Sequence, residues 1–320
     1  MVVIIGGIHN TVLWEEEGTY GEAYSTTDNL FGIITDFTPT YDNSITQSWG
    51  LGARATYGTN AGTIKCGCSI SFEVMGGDTT NAGYGWMAQV LGVTRSGSGT
   101  AVSKYSYDTV SGTASIKSIR IGNSFELGTT DANLKIIGAY ADSCTIEFAE
   151  NEPVKVTLDY VAQSMSKGTT AESQTAVTGS PHHMVHASIE MPDGAAITDV
   201  TKVGITIKNN AKSWGGIGSR TGATSMGKRE ITGRISLHLH NAAQLALLLG
   251  SATTPSSGTP ASTSIDIVTT AVGDANHNTN ILLGNVRFKS LRLPQALDGA
   301  IDEEYDFVAE DITVTEQVTA

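Results

Sequence analysis

Val154-Lys155-Val156-Thr157-Leu158-Asp159-Tyr160-Val161 alternates apolar and polar side chains, the two-residue period of a strand with one buried and one wet face. The same period runs through Ile231-Thr232-Gly233-Arg234-Ile235-Ser236-Leu237-His238-Leu239-His240 and sets both histidines on the polar face beside Arg234. Residues 64–74, 115–121, 143–149 and 203–208 alternate likewise. Only two stretches read as helix. One is 241–249, with Asn241 as cap, Leu245, Leu248 and Leu249 as an apolar stripe and Gly250 as a stop; the other is 82–91, ahead of Gly92. The chain is expected to be mainly β, with one helix in each half.

Outward from these strands, the two halves echo each other. Ile34-Thr35-Asp36-Phe37-Thr38 returns as Ile197-Thr198-Asp199-Val200-Thr201, and Ser48-Trp49-Gly50-Leu51-Gly52-Ala53-Arg54 as Ser213-Trp214-Gly215-Gly216-Ile217-Gly218-Ser219-Arg220. Gly67 opens a strand as Gly233 does, Leu91-Gly92 matches Leu249-Gly250, and Asp159-Tyr160-Val161-Ala162 matches Asp306-Phe307-Val308-Ala309. Five matches in one order imply an internal duplication. The Ser/Thr/Gly-rich stretches 95–113 and 251–264 read as a long loop after each helix, and 164–196, with Pro181 and Pro192, reads as loops and turns between the halves.

Forty per cent hydrophobic and 16% charged residues over 320 positions exclude a disordered chain, and 36 glycines without a three-residue period exclude collagen. A net charge of −13, from 19 basic and 32 acidic residues, argues against a protein that grips DNA, because that grip comes from Lys and Arg. Three cysteines do not pair off, and Cys66-Gly67-Cys68 lacks the spacing of a zinc knuckle, so reduced core thiols are expected. Met1–Ile8 is apolar but short, carries no basic residue and runs on to Glu15-Glu16-Glu17, unlike a secretory signal peptide. No run approaches the ~20 apolar residues of a membrane span. Synthesis in a cytoplasm, with no membrane partner, is the expectation.

Motifs of chemistry are incomplete. Gly222, Gly227 and Lys228 have P-loop spacing, but Arg229 stands where Ser or Thr would hold magnesium, and a strand follows instead of a helix. The SWGxGxR segments lack the strand-turn-helix setting of a dinucleotide site. His182, His183 and His186 suggest a metal, yet the extended segment between Pro181 and Pro192 reads as a loop with three solvated histidines. No Gly-x-Ser-x-Gly elbow occurs, and the pairs Glu16-Glu17 and Glu303-Glu304 read as solvated turn and strand faces. No catalytic residue, metal site or cofactor is expected, and the chain is not read as an enzyme.

Trp14-Glu15-Glu16-Glu17-Gly18-Thr19-Tyr20-Gly21, the loop Leu51-Gly52-Ala53-Arg54, the run from Gly138 through Glu152-Pro153-Val154-Lys155-Val156-Thr157-Leu158-Asp159-Tyr160, and Ile207-Lys208-Asn209-Asn210 to Gly227-Lys228-Arg229-Glu230-Ile231-Thr232-Gly233 together resemble the major tail tube proteins of tailed viruses. The resemblance covers nearly the whole chain. It implies a β-barrel or β-sandwich domain with one flanking helix, inner strands that join neighbours into rings, stacked rings, and DNA passing through without specific binding. It places the protein in the virion tail, with itself and other tail proteins such as a sheath or terminator as partners.

Combined with the duplication, two such domains are expected, 1–166 and 197–320, with 167–196 as linker. Two ring domains per chain make the closed ring a pseudo-sixfold trimer. The excess of acid is expected to line the bore in part and so repel DNA. Trp49, Gly52, Arg54, Trp214, Gly218 and Arg220 are the candidate contacts between subunits or rings, although buried anchoring within one domain fits the two tryptophans equally. A carbohydrate-binding β-sandwich using Trp49, Trp86 and Trp214 as sugar platforms is the competing reading. A polysaccharide-degrading enzyme is a third; it needs two close carboxylates that the sequence does not bring together.

Overall fold

Along Lys155–Ala162 the expected alternation is realised: Val156, Leu158 and Tyr160 are buried while Thr157, Asp159 and Val161 are partly open to water. The computed structural model describes residues 10–24, 27, 29–49, 58–76, 84–92, 102–108, 116–125, 132–168, 180–191, 194–215, 217, 219–238, 243–249, 262–293 and 302–319. The first half comprises β1 (Asn10–Glu16), β2 (Asn29–Leu30), β3 (Ile33–Asp42), β4 (Ile45–Ser48), β5 (Gly58–Ala61), β6 (Lys65–Glu73), α1 (Met87–Leu91), β7 (Val102–Asp108), β8 (Ile119–Phe125), β9 (Ala132–Ala149), β10 (Lys155–Ala162) and β11 (Ser164–Gly168). The rest comprises β12 (Ser188–Glu190), β13 (Ala196–Ile197), β14 (Val200–Lys208), β15 (Lys212–Trp214), β16 (Ala223–Ser225), β17 (Glu230–His238), α2 (Ala243–Leu249), β18 (Thr263–Ala271), β19 (Asp274–Arg292), β20 (Asp302–Ala309) and β21 (Asp311–Thr319). The fold is mainly β, as expected.

One antiparallel sheet runs through both halves in the order β3-β6-β10-β9-β14-β17-β20-β19. Its second four strands repeat the order of the first four. The irregularities repeat as well: Thr35 and Thr201 are skipped in the first strand of each set, Asp142 and Lys289 in the last. Aligned on these bulges, Thr201 falls on Thr35, three positions away from the echo of 34–38 in 197–201. Gly67 lies opposite Val161 and Gly233 opposite Phe307, so those two glycines stand one ladder step apart. Each bulge stretches the apolar spacing from two residues to three, as from Ala141 to Cys144 and from Phe288 to Leu291, so matching short motifs without it misplaces the register.

β9 and β19 are long because each serves two sheets. Their first segments join outer sheets, β2-β1-β8-β9-β11 and β13-β12-β18-β19-β21-β7, and their last segments join the shared inner sheet. Each turns the corner at a residue with positive φ, Gly138 (φ 63) in β9 and Asn285 (φ 51) in β19. The inner faces enclose one apolar core spanning both halves. Its aromatic centre in the first half is Phe31, Phe72, Trp86 and Tyr160, with Phe72 edge-on to Trp86 at 5.5 Å. Cys66, Cys68 and Cys144 are free and buried; burial pushes the Cys66 thiol up to about 11 and the other two well above their usual value, so all three stay protonated.

Several expectations need correction. Of the helix expected over 82–91, residues 82 and 83 lie outside the described residues, 84–86 form a turn and Met87–Leu91 are helical, with Gly92 in the left-handed cap position. The loop expected over 95–113 contains β7, which crosses over to pair with β21 of the other half. The presumed linker contains β12, paired with β18 as β1 is paired with β8, and β13. The caps Asn241 and Gly250 and the loop 251–261 lie outside the described residues.

The three histidines are not all solvated. His182 is 1% exposed, its Nδ1 is 3.0 Å from Thr269 Oγ1, and its ring stands edge-on to Tyr84. Its backbone completes the ladder there, donating to Val74 and accepting from Val154. Burial pulls its pKa from 6.5 to about 4. Above pH 6.5 the imidazole is neutral in both folded and unfolded chains; between 6.5 and about 4 only the unfolded chain takes the proton, so stability falls with pH by up to about 3 kcal/mol. Unfolding at pH 7 and pH 4.5 is expected to show a wild-type loss about 2–3 kcal/mol greater than that of His182→Gln. Equal losses would remove His182 as the cause.

Candidate functional site

The inner sheet has one apolar face, turned into the core, and one polar face. Along the polar face hydroxyls and charges interleave. Asp159 on β10 accepts from Ser69 Oγ at 2.7 Å on one flanking strand and from Ser143 Oγ at 2.6 Å on the other. Asp306 on β20 takes the equivalent place, accepting from Arg234 Nε at 2.7 Å and Ser290 Oγ at 2.7 Å. Those two bonds, Arg234 first, hold the Asp306 carboxyl below its usual pKa. Across the junction of the halves, Thr145 and Thr206 hydroxyls meet at 3.4 Å. Around this junction the face forms a concavity of about 600 Å³ lined by Glu147, Lys202, Arg234 and Lys289 among others.

Charge on this face is nearly balanced. Asp36, Asp42, Glu73, Glu147, Asp159, Glu230, Asp302, Glu304 and Asp306 stand against Lys65, Lys155, Lys202, Lys208, Arg234, Arg287, Lys289 and Arg292. Several cations are paired: Lys202 with Glu147 at 3.4 Å, Lys155 with Glu152 at 2.5 Å, Arg287 with Glu310, and Arg234 with Asp306. All but one of the chain's 13 excess negative charges therefore reside elsewhere.

The ends of this sheet carry no further strand among the described residues. Among the described residues β3 pairs only with β6, and the last segment of β19 only with β20. Ile33 and Tyr41 on one edge and Leu293 beside the other are 40%, 48% and 46% exposed. Hairpins β4-β5 and β15-β16 follow the first strand of each set and carry the exposed apolar residues Ile45, Trp49, Trp214 and Ile217.

Of the candidate contacts, Trp49 and Trp214 are 64% and 58% exposed, so neither is a buried anchor in the chain. Arg220 is engaged within the chain: Nη2 donates to Asn43 Oδ1 at 2.8 Å, and its carbonyl accepts from Ile64 N at 2.8 Å, which ties the second hairpin to the first. Gly52, Arg54 and Gly218 lie outside the described residues. Trp86 is fully buried and cannot serve as a sugar platform.

Both acidic pairs split. Glu17 is 4% exposed and accepts from Ser118 Oγ at 2.5 Å, Gly138 N at 2.7 Å and Gly21 N at 2.9 Å, while Glu16 pairs with Lys117. Glu303 is buried and accepts from Tyr305 Oη. Glu15 and Glu22 clamp Arg120. The Trp14–Gly21 segment is thus a strap that fixes the corner of β9.

Sequence reasoning missed a polar lock between the halves. Asn209, 2% exposed, donates to the carbonyls of Val90 and Ala141 and accepts from Arg229 Nε; Arg229 Nη2 donates to Leu91 O at 2.7 Å. The end of α1 is thereby capped by residues of the second half. The presence of both residues in the tail-tube-like segments was the available signal. Among the described residues no cluster of three or more His, Cys, Asp or Glu could hold a metal, and no helix is long and apolar enough to cross a membrane.

No curated protein matches the chain in sequence. The family of phage tail tube proteins matches it over residues 7–243, which takes in the strap, all of the first strand set, the β9–β14 junction and both members of the lock. With a mainly β fold and a family match over most of its length, this chain belongs to the phage tail tube protein family, as a structural component of the virion tail.

Proposed function

We propose that three copies close into a ring, that rings stack into a tube, and that DNA passes through the bore. The observation that carries this reading is the repeated order β3-β6-β10-β9 and β14-β17-β20-β19 in one sheet whose two ends are unpaired among the described residues. Two ring units per chain turn a sixfold ring into a trimer, and closure removes both edges at once. Three chains of eight inner strands give 24, and at ~4.8 Å spacing and ~40° tilt these close on a radius of about 24 Å, wider than a DNA duplex.

The polar face of the inner sheet then lines the bore. On this reading the wall is mixed, not acidic, and carboxylates pair with Lys155, Lys202, Arg234 and Arg287, half of its eight basic residues. A wall with nearly as many bases as acids, half of the bases already paired, gives phosphates little net attraction, so DNA slides rather than sticks. The exposed Trp49 and Trp214 on the hairpins are assigned to contacts between stacked rings. The two units are drawn as residues 1–168 and 180–320, since β12 pairs within the second unit.

Electron microscopy and mass measurement of the purified protein test this reading. Rings of three chains with six similar lobes, stacked into hollow tubes, are the expected result, and Trp214→Ala is expected to leave the rings but lose the stacking. Rings of six chains, or a monomer at high concentration, would overturn it.

A further inference from the structure

The junction inside the chain specifies the junction between chains. This step rests on the ring reading above. Where the halves meet, the last strand of one set pairs with the first of the next: Lys208 lies opposite Ser143, Ile207 opposite Cys144, Thr206 opposite Thr145 and Ile205 opposite Ile146. The pairing registers of the two sets correspond residue by residue. In the last strands Ser290 corresponds to Ser143, since each lies opposite the aspartate it donates to and each follows a skipped residue, Lys289 and Asp142. In the first strands Thr201 corresponds to Thr35, skipped in each pairing. The positive-φ residues obey the same spacings: Gly138 matches Asn285, and Ser44 (φ 49) matches Asn210 (φ 52).

We propose that β19 pairs antiparallel with β3 of the partner subunit in one register: Ser290 opposite Asp42 of the partner subunit, Leu291 opposite Tyr41 of the partner subunit, Arg292 opposite Thr40 of the partner subunit, and Leu293 opposite Pro39 of the partner subunit.

The chemistry of the two edges supports this register independently of that correspondence. Ile207 and Cys144, Ile205 and Ile146 are fully buried on the core face of the internal junction. Their counterparts, Tyr41 with Leu291 and Pro39 with Leu293, are apolar too, and Tyr41 and Leu293 are about half exposed in the single chain. On the polar face Asp42 lies diagonal to Arg292, within reach of a charge pair. A slip of one residue would set Tyr41 against Arg292 and turn every apolar side chain to the wet face. A second copy of this chain is the occupant that fits, because it alone brings the complementary edge in the geometry already present at β9–β14.

Cysteine cross-linking in assembled rings reads the register. Thr40→Cys with Arg292→Cys, on the accessible polar face, is expected to oxidise into covalent dimers and closed trimers at least tenfold faster than Thr38→Cys with Arg292→Cys. Equal or reversed rates in intact rings overturn the register while leaving the ring reading standing; a wild-type protein that forms no rings refutes the ring reading itself. Should the double-cysteine chain fail to assemble, charge reversal interrogates the same junction: Asp42→Arg and Arg292→Asp are each expected to lower ring yield at least tenfold at low salt, and their combination to restore it. Failure of the combination to restore rings overturns the proposal.

Discussion

Asn209→Ala is expected to lower the unfolding free energy by about 3–5 kcal/mol, because one buried side chain serves three partners. Its Nδ2 donates to Val90 O at 2.9 Å and Ala141 O at 3.1 Å, and its Oδ1 accepts from Arg229 Nε at 3.2 Å. Alanine leaves two carbonyls and one guanidinium N–H without that partner in a site closed to water, each costing about 1–3 kcal/mol and adding less than linearly. Arg229 is mostly buried, and burial lowers its pKa, so the loss of Asn209 falls on a cation that is already poorly solvated. Lys208→Ala, one residue away and exposed, is expected to stay within about 0.5 kcal/mol of wild type. Denaturant unfolding of the two variants checks the contrast, and a loss under about 1 kcal/mol for Asn209→Ala would show that the lock is not holding α1 to the second half.

What could be read in advance follows from which physical demands leave a local mark. β10, β14 and β17 each have a strand on both sides and one wet face, so burial imposes strict alternation, and all three were legible. β7 lies on the outer margin of its sheet and pairs only with β21 among the described residues, so its Val-Ser-Lys-Tyr-Ser-Tyr-Asp sequence shows no clean period and passed for loop. β12 has three residues, too few for any period. The duplication was visible because tight turns and paired aspartates constrain residue type at fixed places, whereas its register depended on Thr35 and Thr201, bulge positions with no signature of their own. Buried polar groups were the least legible. Glu17 meets Gly138 across 121 positions and His182 meets Thr269 across 87, distances over which sequence carries no pairing information. Net charge likewise gave the total and not its placement: the polar face of the inner sheet carries acids and bases in nearly equal number.

The two corners of the long strands provide a paired test of the repeat. Gly138 (φ 63) and Asn285 (φ 51) occupy the same place, where β9 and β19 pass from an outer sheet to the inner one. Glycine enters this region freely and asparagine at small cost, while a β-branched residue there is strained by about 1–3 kcal/mol. At Gly138 space is lacking as well: a Cβ would lie 2.6 Å from Gln163 Cβ and 3.2 Å from the Tyr20 ring, and its N–H already donates to the buried Glu17 carboxylate. Gly138→Val therefore combines backbone strain, overpacking and disturbance of the strap, and is expected to cost about 4 kcal/mol or more. Asn285→Gly keeps the backbone conformation and gives up an exposed hydrogen bond to Asp311, so a change within about 1 kcal/mol is expected. If the corners are equivalent, Asn285→Val must also destabilise, by about 1–3 kcal/mol from the strain alone. Thermal melts of the three variants decide it: an Asn285→Val protein as stable as Asn285→Gly would mean that β19 does not depend on a left-handed corner, and the equivalence of the two strand sets would fail at the residue where it is most constrained.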